Sequence, residues 1–366
     1  MINNAAPIRI VVVDDSAFMR KALTMMLESD PGIKVVGSAR NGEEGIAKVR
    51  QLKPDLVTMD VEMPQMDGLT ALRRIMASDP VPVMMVSSIT TDGARATLDA
   101  LELGAVDFIP KQMSYVSLDI VKIKDDLLAK IRDIVSRKHI LMARFRTRRS
   151  FRDATDGLAV PRTPLVQPAH ASPPKRHKKI DIIALGSSTG GPPALQTVVS
   201  ALPRNLPVGM VIAQHMPPMF TKSLAERLDS ISAVTVREAA DGDPIEAGTV
   251  LIAPGGKHLT VKRYGGRARA VVSTEPSDTL YKPCVDVMLN SVAAAYGANI
   301  MTVILTGMGS NGLEGSRKVK SAGGIIIAQD EESSVVYGMP RAVAEARLTD
   351  HVAPIDDIAA EIISYF

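Results

Sequence analysis

Short apolar runs, unbroken or nearly so, recur along this 366-residue chain and stop at a polar residue. Ile10-Val11-Val12-Val13 ends in Asp14-Asp15, Leu56-Val57-Thr58-Met59 in Asp60, and Val83-Met84-Met85-Val86 in Ser87. A strand with one wet face alternates apolar and polar residues, so a run without alternation needs cover on both faces, which a parallel sheet between helices provides. Helical patterns fall near 16–28, 42–51, 68–77, 92–103 and 117–136, Val35-Val36-Gly37-Ser38-Ala39 supplies a further strand, and Ser16 is placed to cap the first helix. Strict alternation of strand and helix predicts a doubly wound α/β domain with a five-stranded parallel sheet.

The C-terminal half repeats the pattern with different endings. Ile182-Ile183-Ala184-Leu185 runs into Gly186-Ser187-Ser188-Thr189-Gly190, which fits G-x-S-x-G, a strand-to-helix turn whose glycines let the serine hydroxyl stand at the top of a sheet. Met210-Val211-Ile212-Ala213 delivers Gln214-His215, and Thr302-Val303-Ile304-Leu305 delivers the segment Thr306 to Asn311. Polar groups at the carboxyl ends of buried strands mark the usual ligand crevice of an open α/β sheet. Thr249–Ile252, His258–Val261 and Ala268–Val272 read as a short antiparallel excursion. The parallel pattern then resumes with a helix near 284–296, a strand over 301–306, a helix over 312–321 and a strand over 324–327. The second unit is therefore expected to be a mainly parallel α/β domain with a short antiparallel section.

Two chemistries follow. Asp14, Asp15 and Asp60 on neighbouring strand ends repel one another unless a hard dication sits among them, which suggests Mg²⁺. Asp60 beside that ion suits attack on a phosphoryl group, with Ser87 and Lys111 contacting the phosphoryl oxygens. Ser188 suits nucleophilic attack on a carbonyl, although adjacent Ser187 leaves the register open. A phosphate-binding turn is the alternative for this loop. It is disfavoured because the spacing is not G-x-G-x-x-G and the second strand ends in Gln214-His215 rather than an acid. His258 is read as structural, and His351 and the linker histidines as solvent-exposed.

The length exceeds what one core usually supports. A boundary lies where Arg137, Lys138, Arg144, Arg146, Arg148, Arg149 and Arg152 occur without an acid, followed by Pro161, Pro164, Pro168, Pro173 and Pro174. The divisions expected are 1–125, a helix end and basic, proline-rich linker over 126–179, and 180–366. The linker reads as a solvated spacer, not a nucleic-acid site, because no aromatic interleaving or helix-turn-helix pattern accompanies its charge. One cysteine, Cys284, excludes an internal disulfide framework. No apolar run is long enough to insert into a membrane, and a cytoplasmic location is expected.

Asp14-Asp15, Asp60, Ser87 and Lys111 at these spacings resemble the receiver domain of two-component response regulators. Gly186 to Gly191, Gln214-His215-Met216-Pro217, Ile252 to His258, Pro283-Cys284-Val285-Asp286 and Leu305 to Gly309 resemble the catalytic domain of CheB, the chemotaxis protein-glutamate methylesterases. The resemblance implies that Asp60 is the phosphoacceptor charged by the histidine kinase CheA. Asp14, Asp15 and the backbone carbonyl of Glu62 would hold Mg²⁺ with it. Ser188 is implied as nucleophile and His215 as general base in hydrolysis of glutamate methyl esters on chemoreceptors, with receptor glutamine deamidation as a second reaction. The unphosphorylated receiver is implied to pack over the catalytic cleft.

One position departs from the family pattern: Asn311 stands where a triad aspartate is expected. A neutral amide orients the imidazole but does not supply the charge that stabilises the imidazolium. Glu314 and Asp286 are the two acids able to compensate. The departure leaves room for a second reading, a phospho-responsive receptor-binding adaptor with impaired catalysis. A DNA-binding response regulator has only the basic linker in its favour. The order serine, histidine, Asn311 disfavours a generic α/β-hydrolase, in which the acid precedes the histidine.

Overall fold

The computed structural model describes residues 6–111, 119–145 and 178–366; the linker stretch from Arg146 to 177 and the expected helix start near 117 lie outside the described residues. In the first unit the order is β1 (Ile8–Val13), α1 (Ala17–Leu27), β2 (Ile33–Ala39), α2 (Gly42–Leu52), β3 (Leu56–Asp60), α3 (Gly68–Ser78), β4 (Val83–Ser87), α4 (Thr91–Leu103), β5 (Asp107–Pro110) and α5 (Asp119–Ser136). The five strands form a parallel sheet in the order β2-β1-β3-β4-β5. Helix starts follow local chemistry: the side chains of Ser16, Asn41, Asp67 and Thr90 accept from Met19, Glu44, Thr70 and Gly93 N–H at the starts of α1 to α4. Each such cap contributes about 1 kcal/mol. Because β2 and β3 lie on opposite sides of β1, the crevice where strand order reverses opens at the carboxyl ends of β1 and β3, where Asp14 and Asp60 sit.

A helix, α6, described over residues 138–145, carries Leu141 and Met142 into the core. The second unit follows as β6 (Ile182–Ser187), α7 (Gly191–Ser200), β7 (Gly209–Gln214), α8 (Phe220–Ile231), β8 (Thr235–Glu238), β9 (Thr249–Ile252), β10 (His258–Tyr264), β11 (Arg267–Ser273), α9 (Val285–Tyr296), β12 (Ile300–Ile304), α10 (Leu313–Ser321), β13 (Ile325–Gln329), α11 (Met339–Glu345), β14 (His351–Ala353) and α12 (Ile355–Ile363). Seven parallel strands run in the order β14-β13-β12-β6-β7-β9-β8. Strand β6 lies between β12 and β7, so its carboxyl end is the second switch point, and Ser188 follows it directly.

The expected antiparallel section is smaller than the sequence suggests. Thr249–Ile252 belongs to the parallel sheet, between β7 and β8, because Val250, Leu251 and Ile252 are all buried and need cover on both faces. Only β10 and β11 pair antiparallel, joined at Gly265-Gly266, whose φ values of 55° and 84° suit a two-residue hairpin turn. His351 is not free in solvent: its ring bonds Tyr365 Oη at 2.8 Å and lies 3.3 Å from Glu361.

The units meet along α4, β5 and α5 of the first and α7 and α8 of the second. Arg227 on α8 pairs with Asp99 at 2.6 Å and with Glu102 at 3.0 Å on α4. Phe108 on β5 stacks on Phe220 with ring centroids 4.6 Å apart. Thr189, next to Ser188, donates through Oγ1 to Asp107 Oδ2 at 3.0 Å, and the same carboxylate oxygen pairs with Lys130 at 3.1 Å.

Candidate functional site

The acidic pocket of the first unit holds Asp14, Asp15 and Asp60, whose oxygens lie within 4.8 Å of one another. Asp14 and Asp60 are buried and Asp15 is exposed. Lys111 Nζ donates to Asp60 Oδ2 at 2.6 Å and stands 3.7 Å from Asp14 Oδ2, which is buried without a hydrogen bond. Burial, aided by the charge of Asp14 and opposed by Lys111, pushes the Asp60 carboxyl up to about 6. Burial likewise raises Asp14. An all-oxygen donor set with an orphaned carboxylate oxygen fits a small hard dication such as Mg²⁺. The Glu62 N–H donates to Asp60 Oδ1 at 3.2 Å, which sets Glu62 beside the carboxylate. Ser87 is buried at the end of β4, and its Oγ donates to Gly93 O at 3.1 Å rather than to Asp60.

The second cleft gathers residues from three strand ends. Gly190 permits the turn after Ser188: its φ is 74°, and a Cβ there would lie 2.5 Å from Val335. Gly186 has no room for a side chain either, since a Cβ would meet Val285 at 2.4 Å. The two serines differ in environment. Ser187 is fully buried and its Oγ donates to Gln214 Oε1 at 2.6 Å, whereas Ser188 retains 8% exposure and its Oγ has no such bond. Gln214 Nε2 in turn donates to Ser188 O at 2.9 Å, which ties the serine turn to β7. The N–H groups of Thr189 and Gly190, at the amino end of α7, have no acceptor among the described residues.

His215 follows β7 and faces Asn311, with Nε2 3.0 Å from Asn311 Oδ1. The amide orientation is set by its other partners. Oδ1 also accepts from Val285 N at 2.7 Å, while Nδ2 donates to Asp286 Oδ2 at 2.8 Å and to Cys284 Sγ at 3.1 Å. A carboxylate only accepts and a backbone N–H only donates, so Oδ1 must face the ring. Nε2 therefore carries the proton and Nδ1 holds the lone pair. Nδ1 is buried without a partner, and no hydrogen bond joins it to Ser188 Oγ in this conformation. Tyr281 stacks on the imidazole at 4.2 Å between centroids. Burial lowers the His215 pKa to about 4, with the bond to Asn311 opposing the shift and the charge of Lys130 adding to it.

Ser188, His215 and Asn311 thus share one cleft, and Asp14, Asp15, Asp60, Glu62 and Lys111 share the other. Of the two acids considered near Asn311, Asp286 reaches it, whereas Glu314 is exposed and pairs with Arg317 at 3.2 Å. His258 is buried, its Nδ1 accepting from Cys284 N at 3.2 Å and its Nε2 3.1 Å from Pro276 O, so it secures the loop that carries Tyr281. Tyr281 and the Asp107–Thr189 contact had no signal in the sequence. Tyr281 shows no periodicity, and Thr189 lies 82 positions from its partner.

Residues 10–120 match the response regulator receiver domain family and residues 183–362 the CheB methylesterase family. A protein-glutamate methylesterase/protein-glutamine glutaminase of Oleidesulfovibrio alaskensis is 52% identical over 98% of this chain and 99% of its own length. One from Nitratidesulfovibrio vulgaris is 51% identical with the same coverage. The CheB methylesterase catalytic domain of Thermotoga maritima, a solved structure, is 43% identical with a TM-score of 0.50, covering 52% of this chain and 100% of that one. With two matched domains in this order and relatives similar over nearly its whole length, the chain belongs to the CheB family of receiver-linked methylesterases.

Proposed function

We propose that this protein is a phosphorylation-activated protein-glutamate methylesterase of chemotaxis adaptation, which also deamidates receptor glutamines, with residues 1–125 as receiver, 126–179 as the end of its last helix and the linker, and 180–366 as catalytic unit. The observation that carries the reading is the convergence of Ser188, His215 and Asn311 beside a receiver contact at Thr189. Neutral at ordinary pH, His215 takes the Ser188 proton on Nδ1 as Oγ attacks the γ-carbonyl. The free N–H groups of Thr189 and Gly190 are the nearby donors for the oxyanion. The proton then passes from His215 to the departing methoxide, releasing methanol, and water hydrolyses the acyl-serine by the same route. A glutamine side chain follows this path with ammonia as leaving group.

Asp60 is the proposed phosphoacceptor for the histidine kinase CheA, with Ser87 and Lys111 addressing the phosphoryl group. Asp14, Asp15, Asp60 and the Glu62 carbonyl would hold Mg²⁺. When bound, that ion supplies charge neutralisation at the phosphoryl oxygens. Phosphorylation loosens the contacts of Asp107, Phe108, Asp99 and Glu102 with the catalytic unit and uncovers the cleft. The substrates are chemoreceptors, met from the cytoplasm; among the described residues no helix is long and apolar enough to cross a membrane.

The test is methanol release from methylated receptors by the full chain, with and without a small-molecule phosphodonor and Mg²⁺. A rise on phosphodonor addition, lost in Asp60→Ala while basal activity remains, supports the reading. Equal activation of Asp60→Ala refutes the gate, and methanol release unaffected by Ser188→Ala refutes the chemistry. The adaptor reading requires no turnover in the phosphorylated protein.

A further inference from the structure

A neutral amide in the position that steadies the catalytic histidine leaves the imidazolium without a countercharge. In this protein the amide is not the end of the chain of contacts. Asp286, in the first turn of α9, accepts from Asn311 Nδ2 at 2.8 Å through Oδ2 and from Gly315 N at 2.7 Å through Oδ1. Both carboxylate oxygens are therefore held, one by the start of α10 and one by the amide. Val285 N–H, from the same turn of α9, holds Asn311 Oδ1 at 2.7 Å, so the amide cannot flip without breaking this bond and those to Asp286 and Cys284.

We propose that Asp286 is a positioning residue of the active site, whose charge reaches His215 through the hydrogen-bonded amide of Asn311. This rests on the esterase reading above. No proton crosses the amide. The Ser188 Oγ–H bond breaks, an Nδ1–H bond forms on His215, and that proton leaves on the methanol oxygen. The carboxylate polarises the amide so that Oδ1 becomes more negative towards the ring, and hydrogen bonds in such chains reinforce one another. Besides Asp286, which lies behind the Asn311 amide, the titratable groups around His215 are Tyr281 in ring contact, Cys284 behind the amide, and Lys130 of the receiver, itself paired with Asp107.

A two-variant experiment separates this role from a purely structural one. Asp286→Asn keeps an oxygen for Gly315 N–H, so the start of α10 stays capped; the charge is lost, and the new Nδ2 meets Asn311 Nδ2 donor against donor, which the second variant relieves. The double variant Asp286→Asn with Asn311→Asp preserves this hydrogen-bond pattern except for the bond to Cys284 Sγ, which loses its donor. Asp at 311 accepts from His215 and Val285 N–H, Asn at 286 donates to the second oxygen of residue 311, and its own oxygen accepts from Gly315. The carboxylate is thereby moved onto the ring.

In the full chain treated with phosphodonor and Mg²⁺, Asp286→Asn is expected to lower kcat roughly 30- to 100-fold with KM within about twofold. The His215 pKa, read by NMR, should fall in the same variant. The exchanged pair should recover wild-type kcat or exceed it. Unchanged kcat and unchanged His215 titration in Asp286→Asn overturn the proposal. So does an exchanged pair that folds normally yet is as slow as Asp286→Asn. Failure of the esterase reading is separately visible, since Ser188→Ala would then leave methanol release intact whatever stands at 286.

Discussion

Asn311→Asp alone tests the electrostatics of the cleft most directly. From sequence, restoring a triad carboxylate should raise kcat by as much as ~10² to ~10⁴ if the amide acts unaided. The structure lowers that expectation. The new oxygen would replace Nδ2, which lies 2.8 Å from Asp286 Oδ2. Two unit charges at that distance repel by about 6 kcal/mol at an effective dielectric of about 20, equivalent to roughly four pH units. The carboxyl pair must therefore share a proton and carry a single charge at neutral pH, as the wild-type amide and carboxylate do. What changes is the position of that charge. Moving it from about 6 Å to about 4 Å from the ring at the same dielectric is worth roughly 1.4 kcal/mol, so the gain is capped near tenfold. If the shared proton settles on residue 311, kcat does not rise at all. The assay is steady-state methanol release by the phosphodonor-treated variant and wild type between about pH 6 and 8. An increase of a hundredfold or more would mean that Asp286 supplies nothing to His215 in the wild type.

Ser187→Ala should cost about 1–3 kcal/mol of stability, since it orphans the buried Gln214 Oε1, yet leave labelling by a serine-directed phosphonate at Ser188; an adduct mapped to Ser187 would overturn the assignment. Arg227→Ala removes cross-domain pairs to Asp99 and Glu102 that are partly exposed and each worth up to about 1 kcal/mol, so basal methanol release should rise several-fold and the response to phosphodonor shrink. Unchanged basal activity in a folded variant would exclude these pairs from the gate. The two sites should respond oppositely to acid. His215 has a folded pKa of about 4 against 6.5 unfolded, so the unfolded chain binds more protons in that window and the catalytic unit loses up to roughly 3 kcal/mol as pH falls through it. Asp60, raised from 3.8 to about 6, takes its proton first in the folded state, so the receiver is stabilised as pH falls from about 6 towards 3.8. Domain-resolved hydrogen exchange in the absence of Mg²⁺ reads both signs, and loss of protection in both units together would contradict the assignment.

Much of the architecture was legible because strand burial leaves a one-dimensional signature. Parallel strands covered on both faces are written as apolar runs such as Ile10 to Val13 and Ile182 to Leu185, and caps such as Ser16 act within one turn of chain. Polar residues directly after those runs, Asp14, Asp60 and Ser188 among them, must emerge at strand ends, so the location of both clefts followed from chain order and the topology of open α/β sheets. Other features required the fold. The place of Thr249–Ile252 in the parallel sheet depends on which strands flank it, a choice its four residues do not encode. Which acid meets Asn311 was decided by the packing of α9 against α10, which brings Asp286 within 2.8 Å of a residue 25 positions away and leaves nearby Glu314 facing solvent with Arg317. The contact of Thr189 with Asp107 likewise exists only because the two units dock. Sequence spacing determines what lies on one strand or one helical turn; hydrogen bonds between elements depend on their relative placement, which is set by the shape of the whole core.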